Sequence, residues 1–225
     1  MEKLEEKIGY VFKDKSLLIT AMTHSSFTNG KRSDNMACNE RLEFLGDSIL
    51  GFTVAEYLYK NRPDMAEGNM TRVRAELVCE RTLHAAALAL GLGDHIRLGR
   101  GEEMTGGRAR PSILADAMEA LFAAVLLDGG KRQASKLIRA LVISRLPDAE
   151  KLSRDYKSAL QEYAQSIGKP LLYIPAGEHG PDHKKTFRTE VTLGGRRIAF
   201  GEGGTKKAAE KEAARLAFEL LEDKM

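Results

Sequence analysis

The sequence predicts two domains, an all-α domain over residues 1–147 and an α+β domain with the order α-β-β-β-α over residues 154–225. Two observations predict this division. Apolar residues recur at helical spacing from Leu4 to about Ile143, which is typical of amphipathic helices. From Phe187 to Leu193 they alternate instead, as in a half-buried strand. A length of 225 residues is enough for two small domains.

Composition limits the class of protein. The first residues are charged and lack the order of a secretory signal, and the longest apolar stretch, Ala115 to Leu127, is too short to span a bilayer. Cys38 and Cys79 are far apart and suggest neither a zinc site nor a disulfide. We therefore expect a soluble, cytoplasmic protein without a membrane partner. Because the net charge is only +3, any phosphate recognition must depend on local basic clusters.

Residues 39–52 predict a helix with two unlike faces. At 100° per residue, Glu40, Glu43 and Asp47 fall within about 60° of one another. The apolar residues predicted to lie opposite them are Leu42, Leu45, Ile49 and Phe52. One interpretation is a binding face for a cation; the alternative is a solvated acidic face.

Residues 112–127 predict a second, buried helix that is apolar except for Asp116 and Glu119. Buried carboxylates need protons, basic partners or a cation, and no Lys or Arg occurs in this run. If its acidic edge faces the first helix, the two helices supply four hard oxygen ligands suited to Mg²⁺ or Mn²⁺. Glu67 is a further candidate acid, although it also suits an exposed helix start.

Residues 148–153 are polar, follow a proline and predict a linker. Beyond them we expect a helix around Tyr156 to Ile167 and a first strand at Leu171 to Ile174. A hairpin turn at Gly194-Gly195 follows the second strand, and Ile198 and Phe200 continue the alternation. Thr205 then caps a last helix. The apolar stripe predicted for that helix comprises Ala209, Ala213, Leu216, Ala217 and Leu220.

These acidic runs resemble known motifs. The run from Asn39 to Asp47 resembles the signature of the ribonuclease III family, and the run from Ser112 to Glu119 resembles its second acidic motif. The segments Thr23 to Ser26 and Glu67-Gly68 and the closing α-β-β-β-α module are similar to family features in the same order. The resemblance covers the whole chain and suggests the bacterial arrangement of one nuclease domain and one RNA-binding domain.

The resemblance implies an endoribonuclease that hydrolyses double-stranded RNA and processes structured precursors such as ribosomal, messenger and transfer RNA. It implies Glu43, Asp47, Asp116 and Glu119 as catalytic and metal-binding residues, with Glu40 and Glu67 as supporting acids. Bound Mg²⁺, with Mn²⁺ as a substitute, would activate water for in-line attack, leaving a 5′-phosphate and a 3′-hydroxyl. His24 suits a structural hydrogen bond better than an acid-base role.

Phe44 and Gly51 lie near the acidic arc, away from the apolar face. An exposed aromatic there is either a single surface residue or part of a symmetric contact, and the resemblance implies a homodimer. A dimer would cut both strands, one at each site.

In the tail, the resemblance implies three surfaces that contact RNA by its shape. The residues are Gln161 and Glu162 on the first helix, His183, Lys184 and Lys185 in a loop, and Lys206 and Lys207 at the start of the last helix. The alternative from another class is a non-catalytic binder of double-stranded RNA, which an intact acidic set disfavours. A hydrolase of small phosphate esters would leave the tail unexplained.

Overall fold

The computed structural model describes residues 1–28, 38–181 and 184–221. The chain divides into two compact units, Met1–Ser153 and Arg154–Met225. The first unit is helical, and the second packs helices on an antiparallel sheet. The predicted fold class is therefore confirmed. Over the described ranges, no helix is both long and apolar enough to cross a membrane.

The helices of the first unit follow the apolar periodicity of the sequence. They are α1 (Glu2–Ile8), α2 (Lys15–Ala21), α3 (Ser25–Thr28), α4 (Glu40–Asn61), α5 (Glu67–Val78), α6 (Glu80–Leu90), α7 (Arg100–Met104), α8 (Pro111–Leu141) and α9 (Leu146–Ser153). Short 3-10 turns occupy Leu92–His95, Gly107–Ala109 and Ile143–Arg145.

Helix α8 runs through the centre of this unit and packs along α4. Its side chains at Leu114, Met118, Leu121 and Phe122 are fully buried. Burying each such side chain contributes about 1.5–3 kcal/mol. The helix is interrupted at Gly130, whose φ of 78° lies in the left-handed region that glycine adopts without strain. The α4–α8 pair is thus the rigid frame on which both acidic runs are placed.

Two expectations about this unit are wrong. Residues 148–153 belong to α9 rather than to a linker, because Leu146 and Ala149 are buried and α9 packs against α5. Phe52 was expected in the core, but its side chain is 49% exposed and its ring lies 4.2 Å from the Nζ of Lys131. The face of α4 that packs on α8 lies elsewhere, and Phe52 is left at its edge.

The second unit comprises α10 (Tyr156–Ser166), β1 (Leu171–His179), β2 (Thr186–Leu193), β3 (Arg196–Gly203) and α11 (Lys206–Leu221). The strands pair in the order β1-β2-β3, all antiparallel. Gly194 and Gly195, with φ of 59° and 75°, form the predicted turn between β2 and β3. Positive φ at both central residues matches the twist of a two-residue hairpin.

Helix α11 covers the sheet. The Thr205 hydroxyl accepts from the Ala208 N–H at 3.1 Å, which is the predicted cap. On β3, Ala199 and Gly201 are buried, whereas Ile198 and Phe200 are half-buried. A register shift after Val191 and the close approach of α11 to Gly201 explain this departure from the expected alternation.

The stripe predicted on α11 is wrong at Leu220, which is 65% exposed. Leu220 lies about 100° from Leu221 around the helix, and Leu221 is the residue that faces the sheet. Ala214 and Phe218 are buried with it.

Candidate active site and nucleic-acid interface

Helix α4 carries the first acidic run. Its start is held by Asn39, which is 2% exposed and donates its backbone N–H to the Thr23 carbonyl at 2.8 Å. Glu40 and Glu43 therefore occupy the first turn, where the helix dipole favours negative charge. Asp47 follows one turn later and is exposed, as is Glu40, while Glu43 is partly buried.

Helix α8 carries the second acidic run. Pro111 occupies its first turn, where the missing N–H costs nothing. From Ile113 to Val125 the helix is buried except at Asp116 and Glu119, which are half-buried. This matches the prediction of a nearly apolar helix with two carboxylates.

The two helices cross where Gly46 of α4 meets the backbone of Glu119 on α8. A Cβ at position 46 would overlap the Glu119 carbonyl oxygen, so glycine is required for this approach. Glu43 and Asp47 flank Gly46 in the sequence, and both are therefore held beside Glu119.

The charges of these acids act on one another. Burial raises the pKa of Glu119 to about 7, and the charges of Asp47, Glu43 and Asp116 raise it as well. Burial also raises the pKa of Glu43, to which Asp116, Glu40 and Asp47 contribute. Four carboxylates from two helices thus share one electrostatic environment, in which a cation would relieve their repulsion.

In the part of the chain that the structure describes, these four carboxylates have no basic partner that would neutralise them. Within the described residues, Glu43, Asp47, Asp116 and Glu119 form no ion pair with Lys, Arg or His. In the same part of the chain, no three His, Cys, Asp or Glu side chains are gathered tightly enough to form a ready metal cluster. The donors fit Mg²⁺ by type, since all are carboxylates, and their side chains would have to converge on it.

The other two candidate acids, Glu40 and Glu67, differ in how close they lie to these carboxylates. Glu40 accepts from the Cys38 Sγ at 3.6 Å and lies close enough to raise the pKa of Glu43. Glu67 is exposed at the start of α5 and accepts from the Thr71 hydroxyl at 2.9 Å. Among the described groups, Glu67 is not one that shifts the pKa of Glu43, Asp116 or Glu119.

Phe44 and Gly51 lie on the open side of α4. The Phe44 side chain is 79% exposed, the largest exposed fraction among the described large apolar residues. A Cβ at Gly51 would meet nothing within 4 Å. Phe44 therefore projects an apolar ring from α4, and Gly51 leaves the helix surface without a side chain two turns later.

In the second unit, the strand register brings two basic segments to one end of the sheet. His179 pairs with Thr186, and Phe187 pairs with Gly203. The β1–β2 loop, with Lys184 and Lys185, therefore lies at the same end as the start of α11. Lys185 makes an ion pair with Glu178 at 2.6 Å, while Lys184 is exposed.

Lys206 and Lys207 are exposed in the first turn of α11, where unpaired backbone N–H groups also attract anions. Gln161 and Glu162 are exposed on α10. His183, the remaining predicted RNA-binding residue, lies outside the described residues.

Two family models match this chain, one over each unit. A family model described as Ribonuclease-III-like matches residues 14–146. A second, described as a double-stranded RNA binding motif, matches residues 156–221. The chain belongs to the ribonuclease III family.

Curated relatives of this ribonuclease III family member match over nearly its whole length. Ribonuclease 3 of Caldanaerobacter subterraneus subsp. tengcongensis is 49% identical and is aligned over 97% of this chain and 96% of its own. Ribonuclease 3 of Desulforamulus reducens is 46% identical, over 98% and 91%. Among solved structures, the nuclease domain of ribonuclease III from Campylobacter jejuni matches with a TM-score of 0.60 and 44% identity, covering 65% of this chain and 98% of that one.

Sequence reasoning missed Glu80 in this ribonuclease III domain. Burial raises the pKa of Asp116, His24 lowers it, and Glu80 at the start of α6 raises it. Glu80 has no sequence signal beyond its place in a first helical turn, and only the packing of α6 on α8 brings it near.

His24 lies at the same edge of the site. Its Nδ1 lies 2.8 Å from the Ser26 Oγ and accepts from the Ser26 N–H at 3.2 Å, and Ser26 in turn accepts from the Gly99 N–H at 2.9 Å. These contacts match the structural role expected for His24.

Proposed function

We propose that this protein is a homodimeric endoribonuclease that cleaves double-stranded RNA with Mg²⁺ held by Glu43, Asp47, Asp116 and Glu119. The observation that carries the proposal is the crossing of α4 and α8 at Gly46, which confines these carboxylates to one electrostatic environment. Its cellular role would be the processing of structured precursors such as ribosomal RNA in the cytoplasm.

The causes of the raised pKa values support the proposal, because burial and mutual repulsion disfavour these negative charges and a bound cation would offset both. A carboxylate must lose its proton before it can bind a metal, so protons and Mg²⁺ compete for the site. Glu119, with a pKa of about 7, is half protonated near neutral pH without a cation. Burial raises the pKa of Asp116, and the nearby His24 offsets part of this rise.

When bound, Mg²⁺ would polarise the scissile phosphate, activate water and stabilise the leaving 3′ oxygen, giving 5′-phosphate and 3′-hydroxyl ends. The role of the protein fold is to position the four carboxylates. Glu43 and Asp47 are positioned by α4, and Asp116 and Glu119 by the buried α8. Glu40 would add negative charge beside Glu43, whose pKa it helps to raise, and Glu67 would support the site from α5.

RNA recognition would fall to the second unit. Lys184 and Lys185 share one end of the sheet with Lys206 and Lys207, so one stretch of phosphates can meet both segments. Gln161 and Glu162 on α10 and His183 in the loop would contact the minor grooves, where 2′-hydroxyls are accessible. Such contacts select duplex shape rather than base sequence.

The exposed surface of α4 at Phe44 and Gly51 is the basis for proposing a homodimer. An aromatic side chain that is 79% exposed beside an open glycine suits a self-complementary contact. Because Glu43 and Asp47 lie on the same helix as Phe44, the contact would set the distance between two active sites. Each subunit would then cut one strand.

The test is incubation of the full chain with long duplex RNA, with Mg²⁺ or with EDTA, followed by mapping of the product ends. We expect 5′-phosphate and 3′-hydroxyl ends only with Mg²⁺. Asp47→Asn should abolish cleavage but retain duplex binding, whereas Asp64→Asn, an exposed acid between α4 and α5, should cleave normally. Duplex binding without cleavage under any divalent metal would instead support the non-catalytic alternative.

A further inference from the structure

A second charged site lies on the first unit, in a cleft of about 850 Å³ formed by α4 and the part of α8 beyond Gly130. Among the described residues that line the cleft are the cations Lys131, Arg132, Lys136 and Arg139, and one carboxylate, Glu56. Arg132, Lys136 and Arg139 are spaced by four and three residues, which places them within about 60° on one helix face. The cations therefore converge on a concave surface.

These cations are poorly neutralised. The Oε1 of Glu56 is shared by Lys60 at 3.1 Å and Lys131 at 3.4 Å. Within the described ranges, Arg132 and Lys136 make no ion pair, and the Arg139 guanidinium faces the Tyr57 ring at 5.7 Å.

Two arginines elsewhere in the unit have carboxylate partners. Arg62 binds Glu150 at 2.6 Å, and Arg108 binds Glu103. Arg132 and Lys136 have no such partner among the described residues, so the cleft carries positive charge that no carboxylate neutralises.

The cleft is separate from the acidic site. Glu56 follows Asp47 by nine residues, which places it about 180° around α4 and about 14 Å along it. RNA held at the acids on one side of α4 would not occupy a concavity on the other side. An anion in the cleft would therefore be distinct from a phosphate held at the acids.

We propose that this cleft binds an oligophosphate group, such as the triphosphate of a nucleotide or of an RNA 5′ end. Its volume falls within the range of small-ligand sites. Arginine and lysine together provide forked and single-point contacts to phosphate oxygens. Gln133 and Ser135, which also line the cleft, add neutral hydrogen-bond donors.

The test is calorimetric titration of the full chain with inorganic triphosphate in the absence of divalent metal. Arg132→Ala/Lys136→Ala should weaken binding by about tenfold or more, because two charge-assisted contacts are lost. The matched control Lys3→Ala/Lys13→Ala removes two exposed cations outside the cleft and should bind as the wild type does. Thermal unfolding of each variant checks that it is folded.

Glu56→Gln provides a change in the opposite direction. Removing the carboxylate should tighten triphosphate binding by severalfold, a gain that damage to the fold would not produce. GTP and a hairpin RNA with a 5′-triphosphate or 5′-monophosphate distinguish the two sources. If the protein binds the triphosphorylated hairpin more tightly and the cleft variant loses this preference, the ligand of the cleft is an RNA 5′ end. If only GTP binds, the ligand is a nucleotide.

Two results would overturn the proposal. One is triphosphate affinity that is absent in the wild type or equal in all variants. The other is a cleft variant that loses affinity for the hairpin with a 5′-monophosphate but keeps its triphosphate affinity, which would assign the cleft to the RNA duplex.

Discussion

Gly46 on α4 lies against the backbone carbonyl of Glu119 on α8, so closely that any side chain at position 46 would overlap it. The contact joins the two acidic runs through the backbone, which cannot move aside as a side chain can. The two helices, and the carboxylates that they carry, can approach this closely only because Gly46 has no Cβ.

Gly46→Ala should force α4 and α8 apart. We expect a loss of about 1–3 kcal/mol in the free energy of unfolding from overpacking, even though alanine is the better helix former. Cleavage should fall more than stability alone explains, because the acids separate. Urea denaturation and duplex cleavage measure the two effects. The control is Gly101→Ala on α7, where a Cβ meets nothing within 4 Å; equal behaviour of the two variants would contradict the role of the crossing.

The raised pKa of Glu119 predicts how stability depends on pH. Glu119 titrates near 7 in the folded protein and ordinarily at 4.5. Between these values the folded chain holds more protons than the unfolded chain, so the free energy of unfolding falls as pH rises through this window. Burial raises the pKa values of Glu43 and Asp116 too, and they act in the same direction.

We therefore expect the metal-free protein to melt at a lower temperature at pH 8 than at pH 5.5, and Glu119→Gln to reduce this difference. Added Mg²⁺ should stabilise the wild type more at pH 8 than at pH 5.5, because protons compete with the metal. Thermal unfolding with EDTA or Mg²⁺ at both pH values is the measurement. If the melting temperature of Glu119→Gln depends on pH as that of the wild type does, Glu119 is not the cause of the dependence.

Lys206→Ala/Lys207→Ala should weaken duplex binding and make it less sensitive to salt. Each phosphate contact contributes about 0.7–0.9 to the slope of log affinity against log salt, so the slope should fall by about 1.5. Lys169→Ala/Arg196→Ala removes the same charge at the opposite end of the sheet, near the Gly194-Gly195 turn, and should change neither quantity. Filter binding from about 50 to about 500 mM salt, a tenfold range, measures the slope. Equal slopes for both double variants would place the RNA elsewhere.

Phe44→Asp should dissociate the proposed homodimer. A charge at the centre of an apolar contact costs about 2 kcal/mol or more in association. Because each subunit would cut one strand, the variant should produce nicks or no product although its carboxylates are intact. Sedimentation at micromolar concentration gives the association state. Val11→Asp, at a residue that is 72% exposed between α1 and α2, should remain a dimer. A dimeric Phe44→Asp protein that cuts both strands together would refute the interface.

Much of this fold was predictable because it depends on local rules. The 3.6-residue period placed α4 and α8, the glycine pair placed the β2–β3 turn, and Thr205 placed the start of α11. The acidic character of Glu43, Asp47, Asp116 and Glu119 also follows from the sequence, since an apolar run without basic residues leaves a carboxylate no local partner.

What the sequence by itself determined is which residue types lie on which face of each element. Only the tertiary structure decided which faces meet. Phe52 and Leu220 carry apolar side chains at helical spacing, yet both are exposed because the packed face ends beside them. Residues 148–153 are polar, yet they form a helix because Ala149 packs in the core. Glu80 joins the acidic site, and Gly46 sets its width, through contacts between residues far apart in the chain. Such contacts produce no periodic pattern in the sequence, because each depends on how the whole backbone folds.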